Sequence, residues 1–236
     1  MFTGIIQEIG QVLAIQRGTR SLKLQIRCQK TLSSLTVGES VAVNGVCLTV
    51  TRRGKDFFEA QVMGKTLDRS TLPRLAPGTA VNLEPALGLH SSLGGHFVTG
   101  HVDGLGWIEA IHTDDIAHMV TIRIPPELAP YLAPRGSVAI DGVSLTVAAI
   151  ENLKMEISLV PHTWQNTTFH HRKVGDPVNV ECDILARYVE RLLHSLSGGT
   201  REKNVIAPEN SHFAELLRKG GFLDSVQNEE ALYEEY

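Results

Sequence analysis

Polar and apolar positions alternate in short runs along most of this chain. LKLQI (22–26), SVAV (40–43), VCLTV (46–50) and AVNLE (80–84) alternate or cluster β-branched and apolar residues, with Gly, Asn or Pro between the runs. MVTIRI (119–124), SVAI (137–140), VSLTVAAI (143–150), MEISLV (155–160) and PVNVE (177–181) do the same in the second half. A period of two bounded by turn residues predicts strands, and Asn44-Gly45 and Asp141-Gly142 predict tight turns between them. Short helical pieces fit TLSSL (31–35) and PELAPYL (126–132). About six short strands in each half predict a small closed antiparallel barrel, because closure removes exposed sheet edges.

The pattern changes near the end. ILARYVERLLHSL (184–196) places Val189, Leu192, Leu193 and Leu196 at helical spacing. The stripe has two readings, packing on its own domain or a contact between chains. HFAELLRKGG (212–221) predicts a second short helix ending at Gly220-Gly221.

The two strand-rich halves are copies. SVAVNGVCLTV (40–50) and SVAIDGVSLTV (137–147) share eight of eleven residues at an offset of 97. Thr3-Gly4 with Gly10 matches Thr99-Gly100 with Gly106 at 96. Met63-Gly64-Lys65-Thr66 matches Val160-Pro161-His162-Thr163 at 97, as Gly78, Val81, Asn82 and Glu84 match Gly175, Val178, Asn179 and Glu181. The period is too long for a solenoid and has the size of a small domain, so the chain is a tandem duplication. Residues 87–95 are the expected linker. The expected division is 1–95 for the first barrel with its linker, 96–184 for the second barrel, and 185–236 for a C-terminal helix and tail.

Composition narrows the class. Of 236 residues 42% are hydrophobic, as in ordinary globular proteins. The first residues, MFTGIIQEIGQV, lack the basic start of a signal peptide, and no apolar run approaches bilayer length. Cys28, Cys47 and Cys182 form neither a disulfide framework nor a zinc pattern. A reduced, cytoplasmic protein with no membrane partner is expected. Net charge is −4, but residues 224–236 alone carry −5, so the body is close to neutral. A near-neutral body argues against nucleic acid as a partner, which needs a basic stripe.

Candidate chemistry follows from strand geometry. In VCLTV, Val46, Leu48 and Val50 share one face, which should fill the barrel, while Cys47 and Thr49 share the other. Ser144 and Thr146 are their counterparts. An outward Thr on a strand is ordinary, but the same polar pair beside the same turn in both copies points to a binding surface present twice. GKT at 64–66 lacks the upstream Gly of a phosphate loop, with Glu59 there instead. His96 and His101, five apart, would face opposite sides of a strand, so no metal is expected. His170-His171 beside Arg172 predict an exposed turn, and the sequon at Asn166 is void without secretion.

MFTGII, SVAVNGVCLTV, GGHFVTGHVDG, SVAIDGVSLTV and VPHTWQNTTF together resemble the riboflavin synthase family of the alpha-chain type, over both repeats to about residue 184. The resemblance implies a mainly β fold of two tandem six-stranded antiparallel Greek-key barrels plus C-terminal helices that join three chains. It implies conversion of two 6,7-dimethyl-8-ribityllumazine molecules into riboflavin and 5-amino-6-ribitylaminouracil, with no metal or organic cofactor. The partners implied are the lumazine substrate, two further copies of the chain, and lumazine synthase.

On the same resemblance the ligand is expected on Gly4, Ile5, Ile6, Cys47, Leu48, Thr49 and on Gln61, Val62, Met63, Gly64, Lys65, Thr66 in the first barrel. In the second it is expected on Gly100, His101, Val102, Ser144, Leu145, Thr146 and on Ser158, Leu159, Val160, Pro161, His162, Thr163. Arg135 would reach across to a neighbouring chain's ligand. The expected chemical residues are His101, Ser144, Cys47, Thr146 and Asp183, with Ser40 in support. One lumazine gives four carbons to another, so two copies of one ligand call for two barrels with divided roles. The copies differ where Cys47 faces Ser144, Ile5 faces His101, Ala86 faces Asp183 and Lys65 faces His162. Two positions depart from the family habit: Lys65 stands where Glu is frequent, and Arg135 where Lys is common. Rival readings are a lumazine-binding antenna protein without turnover, a nucleic-acid or interaction module, and a flavin reductase. The last two lack an aromatic-studded basic face and a dinucleotide-binding glycine fingerprint.

Overall fold

The computed structural model describes residues 1–88 and 91–196, with side chains as far as residue 193. Met1–Tyr188 form one compact unit. The helix expected at 212–221 and the acidic tail lie outside the described residues.

The first half folds as β1 (Glu8–Arg17), β2 (Ser21–Arg27), β3 (Ser40–Val43), β4 (Val46–Arg53), β5 (Phe57–Met63), the one-turn helix α1 (Lys65–Asp68) and β6 (Ala80–Pro85). The second half repeats this order as β7 (Gly104–Asp114), β8 (Ala117–Arg123), β9 (Ser137–Ile140), β10 (Val143–Glu151), β11 (Lys154–Leu159), α2 (Pro161–Gln165) and β12 (Pro177–Cys182). Each set closes into a barrel, β1-β2-β5-β4-β3-β6 and its equivalent. Register breaks fall at matching places, Val12/Ala14 with Ile108/Ala110 and Val50/Arg52 with Val147/Ala149. Such bulges add the twist that a six-stranded closure needs. The TLSSL and PELAPYL segments are 3-10 turns rather than α-helix. The period-two runs named above do not cover β1, β5 and β7; β1 and β7 lie at partly exposed positions, and β5 is mostly buried but carries Glu59 within its apolar run.

Alternation fixes each core. Val46, Leu48 and Val50 are buried with Leu24, Ile26, Phe58 and Leu83, and Val143, Leu145 and Val147 are buried with Ile122, Ile140, Ile157 and Phe169. Each such side chain contributes about 1.5–3 kcal/mol on burial.

The Asn-Gly and Asp-Gly turns are not at the surface. Asn44 and Asp141 are each 1% exposed, and the two turns meet back to back between the barrels. A Cβ on Gly45 would stand 2.6 Å from the Gly142 nitrogen, so both turns need glycine. The junction is a near two-fold web. Asn44 Oδ1 accepts from Asn82 N and Asp141 Oδ1 from Asn179 N, at 2.8 and 2.9 Å. Asn82 Nδ2 donates to Asp141 O at 3.0 Å, and Asn179 Nδ2 to Asn44 O at 2.7 Å. Asn82 Oδ1 accepts from Thr168 N and Asn179 Oδ1 from Thr71 N, both at 2.7 Å. Phe2, Ala42, Val98 and Ala139 add a small apolar cluster, and Phe2 bridges Val98.

α3 is described over Ile184–Leu196 and starts where the helical pattern of the sequence starts. Asp183 Oδ1 caps it by accepting from Leu185 N at 3.0 Å. Val189, Leu192 and Leu193 are exposed.

Candidate active site

The outward faces of β4 and β10 carry the predicted polar pairs. Cys47 and Ser144 are half-buried, and Thr49 and Thr146 are exposed. Across the first barrel Ser40, Thr49 and Gln61 lie abreast on neighbouring strands, and Ser137 and Thr146 pair in the second. Met63 and Val160 stand exposed just before α1 and α2, which carry Lys65, Thr66, His162 and Thr163. Val62, Leu48, Leu145 and Leu159 are buried, so they shape the walls through the backbone and do not offer side chains.

The segments that complete each surface are exchanged between the halves. Gly4 and Ile6 were expected beside Cys47, and Gly100 and Val102 beside Ser144. The structure places them the other way. Gly4 O accepts from Ser144 N at 2.8 Å, and Ile6 packs on the second core. Gly100 O accepts from Cys47 N at 2.9 Å, and Val102 packs on the first core. The contacts are too close for a side chain, since a Cβ on Gly4 would meet Ser144 Cβ at 2.5 Å and one on Gly100 would meet Cys47 Cβ at 2.5 Å. The physical reason is that each segment precedes its own barrel and crosses the junction before entering it.

Cys47, Lys65, Thr66, Arg69, Gly100, His101 and Val102 line a pocket of about 270 Å³. His101 therefore belongs with Cys47 and not with Ser144. Arg69 was absent from the predicted set; it faces both this pocket and a second one, of about 450 Å³, whose lining includes Trp107, Tyr131 and Arg187. Arg187 pairs with Asp103 and lies over Tyr131.

Ser144 has a partner that sequence reasoning passed over. His96 Nδ1 lies 2.8 Å from Ser144 Oγ. The ring is 8% exposed and its Nε2 has no hydrogen-bond partner among the described residues. Burial pushes its pKa below the usual histidine value, with Asp183 pulling the other way, so it is neutral at neutral pH. The segment 96–101 forms no strand beyond the bridge at Val98, so the argument from opposite strand faces does not apply. Its two histidines go to different barrels' surfaces. Gly95 lets the histidine come this close, since a Cβ there would stand 2.1 Å from Thr3 O and 2.7 Å from Ser144 Oγ. Beyond His96, the second surface has His118 stacked on Trp164 with ring centroids 4.1 Å apart. Arg135, exposed at a backbone φ of 67°, precedes β9.

The lumazine binding domain matches the chain twice, at residues 3–86 and 99–183. Riboflavin synthase of Mycobacterium tuberculosis is 44% identical over 199 residues, which are 83% of this chain and 99% of that protein. The chain belongs to the riboflavin synthase family. Riboflavin synthase of Bacillus subtilis is 38% identical over 87% of this chain and 95% of its own length, and that of Actinobacillus pleuropneumoniae 36% identical over 94% and 100%. Among solved structures, LumP complexed with 6,7-dimethyl-8-ribityllumazine superposes with a TM-score of 0.71 at 27% identity, covering 77% of this chain and 99% of that one. LumP complexed with riboflavin gives 0.73 at 28% identity, with the same coverage. His96 falls in the gap between the two matched segments, where the repeat offers no counterpart to flag it.

Proposed function

We propose that this chain makes riboflavin by transferring four carbons between two molecules of 6,7-dimethyl-8-ribityllumazine, one on each kind of barrel, and releases 5-amino-6-ribitylaminouracil. Substrates and products balance with no net water, oxidant or reductant, so the residues need only move protons, add and release a nucleophile, and hold two rings together. The observation that carries this reading is one backbone framework present twice with different chemical groups at equivalent points. Cys47 has Lys65, Arg69 and His101 around its pocket, whereas Ser144 has His96.

The chemistry divides accordingly. The 7-methyl proton of a lumazine is acidic because its carbanion delocalises into the ring. Neutral His96, with Nδ1 as acceptor, can take the Ser144 hydroxyl proton and free Oγ to add to a pteridine or to hold a water that does. His101, exposed beside Cys47, is placed to carry a proton for the ring in the first pocket. Thr146 and Asp183 flank the second surface, Ser40 the first. Thr49, Gln61, Thr66, Ser158 and Thr163 offer groups for ribityl hydroxyls. Holding the rings face to face is worth about 7–11 kcal/mol of barrier.

Each surface opens outward, so reaction requires two surfaces to meet. The first surface of one chain facing the second of another, in a trimer joined through the exposed Val189, Leu192 and Leu193 face of α3, meets that need and brings Arg135 toward a neighbour's ligand. The cytoplasm is the fitting compartment for such a protein with unpaired thiols. Incubation with the dimethyl lumazine, followed by riboflavin absorbance, tests the proposal. Tight binding without turnover would replace it with the antenna reading.

A further inference from the structure

Two buried carboxylates do something that neither surface reveals by itself. Glu84 ends the first barrel's β6 and is 4% exposed; Glu181 is its counterpart in β12, also 4% exposed. Glu84 Oε1 accepts from Thr3 N at 2.6 Å and Thr3 Oγ1 at 2.7 Å, and Oε2 accepts from Gly4 N at 3.0 Å. Glu181 takes Thr99 N at 2.6 Å, Thr99 Oγ1 at 2.7 Å and Gly100 N at 3.0 Å in the same way. In both, the threonine hydroxyl oxygen then accepts from the next amide but one, Ile5 N or His101 N, at 3.2 Å. Every group facing the carboxylates in these clasps is a hydrogen-bond donor. A carboxylate satisfies that arrangement and a neutral amide does not, because its NH2 would face an N–H.

Each clasp sits on one barrel and its segment completes the other. Glu84 fixes Thr3-Gly4, whose Gly4 carbonyl holds Ser144 N. Glu181 fixes Thr99-Gly100, whose carbonyl holds Cys47 N and whose next residues, His101 and Val102, line the Cys47 pocket. We infer that Glu84 and Glu181 are positioning residues that act crosswise: Glu181 of the second barrel assembles the lumazine surface of the first, and Glu84 of the first assembles that of the second. The inference rests on the lumazine reading for its ligand but on the clasps for its direction.

The test compares Glu84→Gln and Glu181→Gln in the full chain. Two readouts are used: lumazine titration by fluorescence, and protection of Cys47 from alkylation by bound lumazine, measured by mass spectrometry. Wild type is expected to bind two equivalents and to protect Cys47. Glu181→Gln is expected to keep one equivalent at near wild-type affinity and to need about 30-fold or more lumazine to protect Cys47, the scale of losing charge-assisted hydrogen bonds. Glu84→Gln is expected to keep Cys47 protection and to lose the other equivalent. The milder Thr99→Val and Thr3→Val should shift the same sites by about 5-fold, and they stand in if a Gln variant fails to fold. Amide exchange without ligand separates this idea from the lumazine reading. Glu181→Gln should speed exchange at Cys47 N–H and spare Ser144 N–H, and Glu84→Gln the reverse, whether or not lumazine binds. Equal loss at both sites, or loss at the variant's own barrel, overturns the crosswise role.

Discussion

The two barrels agree in backbone down to the position of their bulges, yet at a few points of the junction and of the outward faces they differ in charge and polarity. At the junction the first half has Asn44 and Leu75 where the second has Asp141 and Arg172. Asp141 is buried with Arg172 Nη2 2.5 Å from its Oδ2, while Asn44 leaves its Nδ2 without a partner. On the outward faces Cys47 shares its pocket with the exposed His101, whereas Ser144 has the buried His96 within hydrogen-bond distance. A duplicated framework is held by its inward residues, which cannot change without opening cavities. Outward and junction residues can diverge, and a reaction with two unlike roles for two like substrates needs that divergence.

Breaking the second barrel's special pair should have the largest effect. His96→Gln keeps bulk but removes the group that can accept the Ser144 proton. Turnover is expected to fall by about 10²–10⁴-fold, while lumazine still protects Cys47 in the first pocket. Steady-state riboflavin formation measures the first, alkylation the second. Unchanged turnover would reduce His96 to a filler of space.

The junction offers a smaller but cleaner contrast. Arg172→Leu places the first half's residue opposite Asp141 and strands a buried carboxylate, a loss of about 3–5 kcal/mol. Burial already pushes Asp141 above the usual aspartate range, with Arg172 opposing it. Without Arg172 the folded pKa rises further above the unfolded one. Stability of the variant is then fully retained below the unfolded pKa and declines as pH rises through the folded one. Adding Asp141→Asn converts the site wholly to its first-half form and should restore most of the loss. Urea unfolding at pH 5 and pH 8 tests both points, and a double variant as weak as the single one would show that the halves are not interchangeable there.

The thiols mark three further differences, since Cys28, Cys47 and Cys182 stand opposite Ile124, Ser144 and Pro85. Burial pushes Cys28 and Cys182 up to about 12, whereas Cys47 is half-buried and lines the candidate pocket. In the native protein an alkylating reagent should label Cys47 at least about a hundredfold faster than either of the others, whose thiolate fraction is small at neutral pH. Peptide mapping over time decides it. Comparable labelling of all three would mean that the barrels open on that timescale.

Much of this was legible in the chain itself. Alternation in VCLTV and VSLTV placed the cores, the repeat placed two barrels, and the helical stripe placed α3. What escaped were effects of chain crossing. Nothing in a period of 97 says that Thr3-Gly4 serves Ser144 and Thr99-Gly100 serves Cys47, because self-alignment pairs each segment with its own barrel. His96 escaped because it precedes the second repeat and has no first-half counterpart. Arg69 escaped because it lies just past α1, where its reach into the pocket depends on a turn that local pattern does not reveal.

Arg135 carries the subtlest difference between the halves. Its counterpart is Gly38, and both residues take left-handed backbone, with φ of 67° and 95°. Glycine adopts this region freely, whereas an L side chain there costs on the order of 1 kcal/mol. Both positions make the same backbone bond, Arg135 N to Val147 O at 2.8 Å and Gly38 N to Val50 O at 2.9 Å. The guanidinium is therefore not needed for the fold, and the second half tolerates a strained residue where the first half shows the relaxed solution. Strain kept at an exposed position points to use. Arg135→Gly is expected to raise unfolding stability by up to about 1 kcal/mol, since backbone relief exceeds the added freedom of the unfolded chain. The same variant should lower riboflavin formation by about tenfold, mostly through kcat if Arg135 reaches a neighbour's ligand at the moment of reaction. Denaturant unfolding and steady-state kinetics on one preparation measure both. A variant that is both more stable and fully active would leave Arg135 without a role at the ligand.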